Sequence, residues 1–174
     1  PRMFSFNNPF GACPTCSGLG TLLKIDPELV IPDQHLSLAQ GCVNVMGWNS
    51  GSKGTIASMY FDALTKHYGV SMKTPYEELP QEVQNAILYG TGKDKLHIAY
   101  KKEFGSGTFD APFEGIATNM ERRYRESTSE YSKQEIERFM AQTPCPDCKG
   151  KRLKRESLAV TVGDMNIADL SDLP

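Results

Sequence analysis

The pattern of apolar and polar residues predicts four helices between residues 56 and 143. In the first helix, one face is apolar and Gly69 follows as a helix stop; its members are Ile56, Ala57, Tyr60, Phe61, Leu64 and Tyr68. A second, shorter helix opens at Pro80 and ends at Gly90. Its inner face carries Val83, Ala86 and Ile87.

The third and fourth predicted helices lie closer to the end of the chain. The third starts near Pro112, and its apolar stripe consists of Phe113, Ile116, Ala117, Met120 and Tyr124. Arg122 and Arg125 point away from that stripe, while Arg123 lies at its border. The fourth begins at a capping-box pair, Ser132 and Glu135, and ends before Pro144. We expect it to bury Ile136, Phe139 and Met140.

Alternating apolar residues predict strands on either side of these helices. A short strand over 21–25 closes at the turn Asp26-Pro27. Another strand covers 95–103, and Gly105-Ser106-Gly107 turns it into a hairpin. Near the end, Leu158, Val160 and Val162 alternate as a strand, and Gly163-Asp164 turns it toward a partner with Met165 and Ile167. The sum predicts an α+β fold.

Composition adds that the chain is globular. Its 174 residues are 39% apolar and 23% charged, with a formal net charge of −2, which is typical of a folded domain. No apolar run approaches the roughly 20 residues of a membrane helix, so we expect no membrane partner. The start shows neither Met nor a signal peptide, and we expect a piece of a longer, cytoplasmic protein.

Four of the five cysteines form two similar motifs. CPTCSGLG contains Cys13 and Cys16, and CPDCKGKR contains Cys145 and Cys148. Each CxxC turn grips one edge of a tetrahedral ion, and the glycine after the second cysteine permits a positive φ in a tight knuckle. Two copies with matching Pro and Gly predict one structural zinc ion per chain. Arg152 stands where the first motif has Gly20, which predicts that the two knuckles are unequal.

The distance between the motifs predicts the domain organisation. Well over a hundred residues separate Cys16 from Cys145, whereas a compact zinc ribbon keeps its halves close. We therefore expect a four-cysteine zinc-knuckle module, residues 1–25 and 143–174. A large inserted lobe of helices and a β-hairpin occupies 26–142. Closing such a long loop is entropically tolerable because the cost rises only logarithmically with length.

Other interpretations of the cysteines remain open. A redox CxxC needs a helix starting at its first cysteine, which Gly18 and Gly20 disfavour. Two unrelated pairs, or pairs completed by other chains, are further alternatives. Cys42 is expected to be a buried small apolar residue. Ordinary structural or surface roles are expected for His35, His67 and His97.

Basic residues form two clusters that are candidates for DNA binding. Residues 144–155 contain five basic residues against one acidic residue, a net charge of +4; the basic ones are Lys149, Lys151, Arg152, Lys154 and Arg155. The second cluster is Arg122, Arg123 and Arg125, and Lys101 with Lys102 is a third candidate. The alternative is that these charges are merely solvated.

The chain shows no sign of its own catalytic machinery. It contains no GxxxxGK[ST] phosphate loop and no HExxH motif. The segment Gly90-Thr91-Gly92-Lys93 lacks the glycine spacing and the hydroxyl residue of a phosphate loop, so we interpret it as a turn. We expect no enzyme activity from this chain alone.

Three separated segments carry a resemblance to a known family. RMFSFNNPFGACPTCSGLG, NMERRYRESTSE and PCPDCKGKRLKRESLAVTV occur in the order found in the first half of the UvrA family, the damage-recognition ABC ATPases of bacterial nucleotide excision repair. The resemblance runs from the start to about residue 170 and is only loose over 26–95.

The resemblance implies a cofactor, partners and a place in a larger protein. The four motif cysteines would hold a structural zinc at the base of a mobile insertion domain, joined to an ATPase scaffold. The implied partners are damaged double-stranded DNA, the rest of the UvrA chain and its dimer mate, and UvrB through a region outside this chain. ATP and Mg²⁺ would bind only to the parent.

Two further classes of function compete with this one. CPTCSGLG fits the CxxCxGxG repeat of DnaJ-like chaperones, although that family has four closely spaced repeats and this chain has two distant ones. A thiol oxidoreductase would show an exposed, titratable thiol and no metal.

Overall fold

The computed structural model describes residues 2–102 and 105–171. These residues form two compact units. The cysteine unit consists of residues 1–24 and 141–174, and the central unit consists of residues 25–140. Each unit is built around its own buried residues, so each is described separately.

The described part of the chain contains both helices and strands. Its helices are α1 Pro27–Val30, α2 Ile56–Tyr68, α3 Gln81–Tyr89, α4 Ile116–Glu126, α5 Glu130–Glu137, α6 Arg155–Leu158 and α7 Ile167–Ser171. Its strands are β1 Thr21–Ile25, β2 Lys95–Lys102, β3 Gly105–Pro112, β4 Met140–Pro144, β5 Thr161–Val162 and β6 Met165–Asn166. The strands pair as β1 with β4, β2 with β3, and β5 with β6. The mixed helix and sheet content agrees with the predicted class.

The central unit buries an aromatic cluster between its helices and its hairpin. Phe61 and Phe113 are fully enclosed, at 0% and 2% exposure, and the ring of Trp48 lies edge-on 5.4 Å from that of Phe113. Tyr60 packs on Phe113 with ring centroids 5.5 Å apart. Leu96 and Ile98 of β2 complete the core, since alternate strand residues face the same side.

Most of α2 follows the prediction, but its first residue does not. The helix ends at Gly69, which has a left-handed φ of 66°, as a C-terminal stop requires. Ile56, which was expected on the apolar face, is 66% exposed. It is the first helical residue after the N-cap Thr55, where the face has barely begun.

The predicted start of the third helix is wrong by four residues. The antiparallel pairing of β3 with β2 continues as far as Pro112, which lies opposite Lys95. Helix α4 begins only at Ile116, after Gly115 at φ 86°. An added Cβ at Gly115 would clash with backbone atoms of Tyr89 and Leu88, so the turn into α4 depends on this glycine.

The fourth helix also begins earlier than predicted and ends sooner. Ser129, rather than Ser132, caps it by accepting a hydrogen bond from the backbone N–H of Ser132. The helix ends at Glu137, and the chain enters strand β4 at Met140. Ile136 is buried, whereas Phe139 and Met140 are only half-buried.

The last predicted hairpin is shorter than expected. Leu158 belongs to α6 and Ile167 opens α7, so the strands β5 and β6 have two residues each. Val162 is 79% exposed, and an apolar alternation without burial gives little support for a longer strand. Among the described residues, no helix combines the length and the apolar character that crossing a membrane demands.

Candidate metal centre

The structure brings the four motif cysteines into one cluster. The sulfur atoms of Cys13, Cys16, Cys145 and Cys148 all lie within 4.8 Å of one another. The Cys13 and Cys145 sulfurs are 3.9 Å apart, and those of Cys16 and Cys148 are 3.7 Å apart. All four side chains are buried. Four converging buried thiols make a site for a soft metal ion.

The two knuckles share one pattern of backbone φ. Three positions in each motif take a positive φ, and the values correspond closely: 49° at Ser17 and 50° at Lys149, 81° at Gly18 and 89° at Gly150, 81° at Gly20 and 68° at Arg152. The prediction that Arg152 makes the knuckles unequal is therefore wrong for the backbone. Arg152 adopts the left-handed conformation that Gly20 adopts in the first copy.

The matched conformation directs backbone N–H groups at sulfur. The N–H of Gly20 donates to the Cys16 sulfur at 3.2 Å, and the N–H groups of Arg152 and Gly150 donate to the Cys148 sulfur. Burial raises the pKa of the Cys148 thiol, and these N–H groups oppose the rise.

The two knuckles are held together by the backbone around them. The Cys145 N–H donates to the Gly20 carbonyl at 2.8 Å, and the Cys13 N–H donates to the Arg152 carbonyl at 2.9 Å. The Thr143 hydroxyl donates to the Leu22 carbonyl at 3.2 Å. Two segments that are far apart in sequence thus form one small scaffold.

Cys42 lies outside this cluster, in the core of the central unit. It is 1% exposed, and burial raises the pKa of its thiol to about 11. His35 and His97 are exposed and pair with Glu77 at 2.6 Å and Asp110 at 2.7 Å. His67 packs edge-on against Tyr68.

The basic residues of the second knuckle have diverse surroundings. Lys149 and Arg155 are exposed, whereas Lys151 forms an ion pair with Asp169 at 3.0 Å. Lys154 is half-buried, and its backbone N–H donates to the Gly11 carbonyl. Arg152 is half-buried and turns back onto the first knuckle, where its Nε donates to the Gly18 carbonyl.

The basic residues of α4 also differ from one another. Arg122 is held between two carboxylates, with Nε 2.7 Å from Glu114 and one terminal nitrogen 2.8 Å from Glu126. Arg123 is half-buried and lines a shallow pocket with Ile136. Arg125 is exposed on the last turn.

The sequence did not predict the long-range hydrogen bonds that fix α4 and the second knuckle. The bond from Trp48 to Asn119 spans 71 residues, and the one from Arg152 to Gly18 spans 134. No local pattern links such distant positions. The one available signal was the occurrence of Arg152 at a position that is glycine in the first motif.

Comparisons with known proteins place the chain in context. Residues 26–138 match the family model described as the UvrA DNA-binding domain. The chain is similar to UvrABC system protein A of Oceanobacillus iheyensis (44% identity over 177 residues) and of Brucella abortus (46% over 173 residues). Each alignment covers 99% of this chain but only 18% of the relative. The chain thus spans less than a fifth of the length of these proteins.

A solved structure has the same fold. The crystal structure of UvrA2 from Deinococcus radiodurans superposes with a TM-score of 0.65 at 24% identity. The match covers 99% of this chain and 22% of that one. The family match includes α4 with its arginines, whereas the four motif cysteines and the basic residues after the second motif lie outside residues 26–138.

Proposed function

Because the chain belongs to the family of UvrA DNA-binding domains, we propose that it engages DNA within the A subunit of a bacterial nucleotide excision repair excinuclease. The family match over residues 26–138 carries this proposal. The ligand is damaged double-stranded DNA, held mainly through phosphate contacts.

The cysteine cluster of the proposed module holds one structural zinc ion. Zinc binds thiolate sulfur at about 2.3 Å in a tetrahedron, so two ligand sulfurs lie roughly 3.8 Å apart. The separations of 3.9 Å and 3.7 Å between facing cysteines fit that size. All four positions are filled by protein sulfur, so the ion supports the fold rather than catalysis.

The proposed division of labour follows the two units. Residues 1–25 and 143–174 form a zinc module joined to an ATPase scaffold, and residues 26–142 form an insertion domain that meets DNA. The separate core of the central unit supports this division. The parent would supply ATP and Mg²⁺ binding, the dimer mate and the surface for UvrB, while this chain alone performs no catalysis.

Within the insertion domain, α4 is the first candidate for phosphate contacts. Arg125 is exposed and Arg123 is half-buried beside it. Arg122 is a weaker candidate because Glu114 and Glu126 already neutralise it. Lys149, Lys154 and Arg155 form a second candidate surface on the zinc module, where Lys151 and Arg152 have internal partners.

A salt-dependent DNA titration tests the proposal. The 174-residue chain should bind a short duplex with Kd of roughly 10⁻⁴ to 10⁻⁶ M, the range of non-specific binding. The variant Arg123→Glu plus Arg125→Glu should bind more weakly and show a shallower dependence on salt, since fewer phosphates are neutralised.

A matched variant controls for net charge. Lys73→Glu plus Lys93→Glu changes the charge equally at exposed positions of the same unit, and it should bind DNA nearly as well as the unmodified chain. Equal losses in both variants would leave α4 without a specific role. No binding at 50 mM salt by any form would contradict the DNA-engaging function.

The chaperone alternative gives a different result in the same assay. A DnaJ-like zinc domain would suppress aggregation of an unfolded protein and ignore the duplex. Zinc content does not distinguish the two functions, because both kinds of domain hold a four-cysteine site. Binding to the DNA duplex does distinguish them.

A further inference from the structure

Four contacts of Arg152 lead to the first knuckle or to the segment before it. Its carbonyl accepts from the Cys13 N–H at 2.9 Å, and its Nε donates to the Gly18 carbonyl at 2.8 Å. Its guanidinium carbon lies 3.6 Å from the centre of the Phe6 ring. Its Cγ packs so closely on Gly20 that an added Cβ there would lie 2.9 Å away.

This residue also has an unusual backbone. Its φ of 68° is in the left-handed region, which costs a residue with a side chain about 1 kcal/mol or more relative to glycine. Glycine fills the same position in the first knuckle without that cost. An arginine here is therefore explained by its side chain rather than by its backbone.

From these contacts we infer that Arg152 is a positioning residue for the metal site, a clasp that fixes the first knuckle against the second. The inference rests on the zinc part of the proposed function. The guanidinium holds the Gly18 carbonyl, so the chain between Cys16 and Gly20 keeps the turn that aims the Gly20 N–H at sulfur. Partners outside the ligand sphere of a metal commonly change its affinity by 10- to 100-fold.

The inference removes Arg152 from the residues that we expect to contact DNA. A guanidinium that stacks on Phe6 and donates to a carbonyl has its face and one edge already used. Lys149 takes the same left-handed backbone in the same knuckle at φ 50°, and its side chain is exposed. These two residues therefore form a matched pair of equal charge and similar backbone.

The test measures the rate at which the zinc-loaded chain releases its metal to a chromogenic chelator. Arg152→Gly removes the cost of a positive φ at this position together with the side-chain contacts of the clasp. This variant should release zinc about 10- to 100-fold faster. Lys149→Gly also removes the cost of a positive φ, and it should release zinc at the rate of the unmodified chain or more slowly. Phe6→Leu removes only the stacking and should give an intermediate rate.

Hydrogen exchange provides a second readout that does not depend on metal. The Gly20 amide should exchange faster in Arg152→Gly than in Lys149→Gly, with or without zinc. Equal zinc release and equal Gly20 exchange in these two variants would overturn the clasp. Absence of zinc from the unmodified chain would instead contradict the proposed zinc site, and the exchange comparison would still decide the role of Arg152.

Discussion

The indole N–H of Trp48 donates to the side-chain oxygen of Asn119 at 3.1 Å. The amide of Asn119 in turn donates to Glu114 at 2.9 Å, and Glu114 accepts two hydrogen bonds from Arg122. This series of bonds ties helix α4 to the aromatic cluster of the central unit. An arginine that looks like a DNA contact in the sequence thus has a structural partner.

The arginines of α4 should therefore separate by function. Arg122→Ala should lower the free energy of unfolding measurably, since it leaves a half-buried carboxylate with fewer donors. Arg125→Ala should leave stability nearly unchanged, because its exposed side chain makes no ion pair within the described residues. Urea denaturation followed by Trp48 fluorescence measures both variants.

The same two variants should rank in the opposite order for DNA. Arg125→Ala should weaken binding, and Arg122→Ala should change it less at a temperature where both are folded. If Arg122→Ala lost more DNA affinity than Arg125→Ala while remaining equally stable, the structural assignment of Arg122 would be wrong.

The ion pair also predicts a dependence on pH. The hydrogen bond from Arg122 lowers the pKa of Glu114, burial opposes this, and Asn119 adds to the lowering. A carboxyl with a lowered pKa stabilises the fold fully above the ordinary glutamate pKa of about 4.3, and it loses that contribution as the pH falls through its lower folded value.

Comparison with Glu114→Gln isolates this effect. At pH 7 the variant should be less stable by no more than about 1 kcal/mol, because the pair is partly exposed to solvent. Below pH 4 the difference should shrink. A stability difference that is independent of pH would show that packing, rather than charge, accounts for the role of Glu114.

The aromatic cluster should dominate the stability of the central unit. Phe113→Ala removes a ring that is 2% exposed and touches three other aromatic rings. Its cost should be about 3–5 kcal/mol, the usual range for a buried phenylalanine. Phe109→Ala, on strand β3 four residues before Phe113 but 43% exposed, serves as the control and should cost less than about 1 kcal/mol. Thermal unfolding measures both.

Metal removal should affect one unit and spare the other. A structural zinc ion contributes directly to folding, so a chelator should expose the amides around the knuckles to hydrogen exchange. The single tryptophan, Trp48, is partly buried and packs against the core of the central unit, and its emission should remain unchanged. A red shift on chelation would show that the central core depends on the metal. Cys145→Ser plus Cys148→Ser should reproduce the effect of the chelator.

Thiol reactivity should distinguish Cys42 from the other four cysteines. In zinc-loaded protein, no thiol should react with a disulfide reagent at pH 7. After chelation four should react, because the knuckles lose the metal that holds them folded, while Cys42 should stay unreactive until the chain unfolds, because it is 1% exposed in the core of the central unit. A fifth thiol reacting together with the others would contradict its burial.

Local chemistry made part of this structure predictable. The stop at Gly69 and the alternation of Leu96 and Ile98 depend on neighbours within a few residues, and the structure confirms them. The prediction for α4 failed because strand pairing carried Pro112 into β3. Pairing is a tertiary effect that overrides the helical pattern of the same residues.

The metal site was visible for a different reason. Two copies of one CxxC motif indicate that both bind the same metal ion, even when the distance between them in the fold is unknown. What surrounds the ligands was not visible, since the partners of Arg152 lie more than 130 residues away. The charge clusters were a poor guide to DNA contacts, because the sequence does not show which basic residues pair with acidic ones in the fold. The ion pair of Lys151 with Asp169 is an example.

The pairing of β1 with β4 brings the two ends of the central unit close together. The backbone hydrogen bonds from Cys145 to Gly20 and from Asp26 to Phe139 lie at opposite ends of this strand pair. In that antiparallel register Ile25 lies opposite Met140, and paired strands are about 4.8 Å apart. Residues 25–140 should therefore tolerate transplantation into a surface turn of an unrelated host without long linkers. Their two ends should equally accept a short peptide bridge, which would allow new termini to be opened elsewhere by circular permutation.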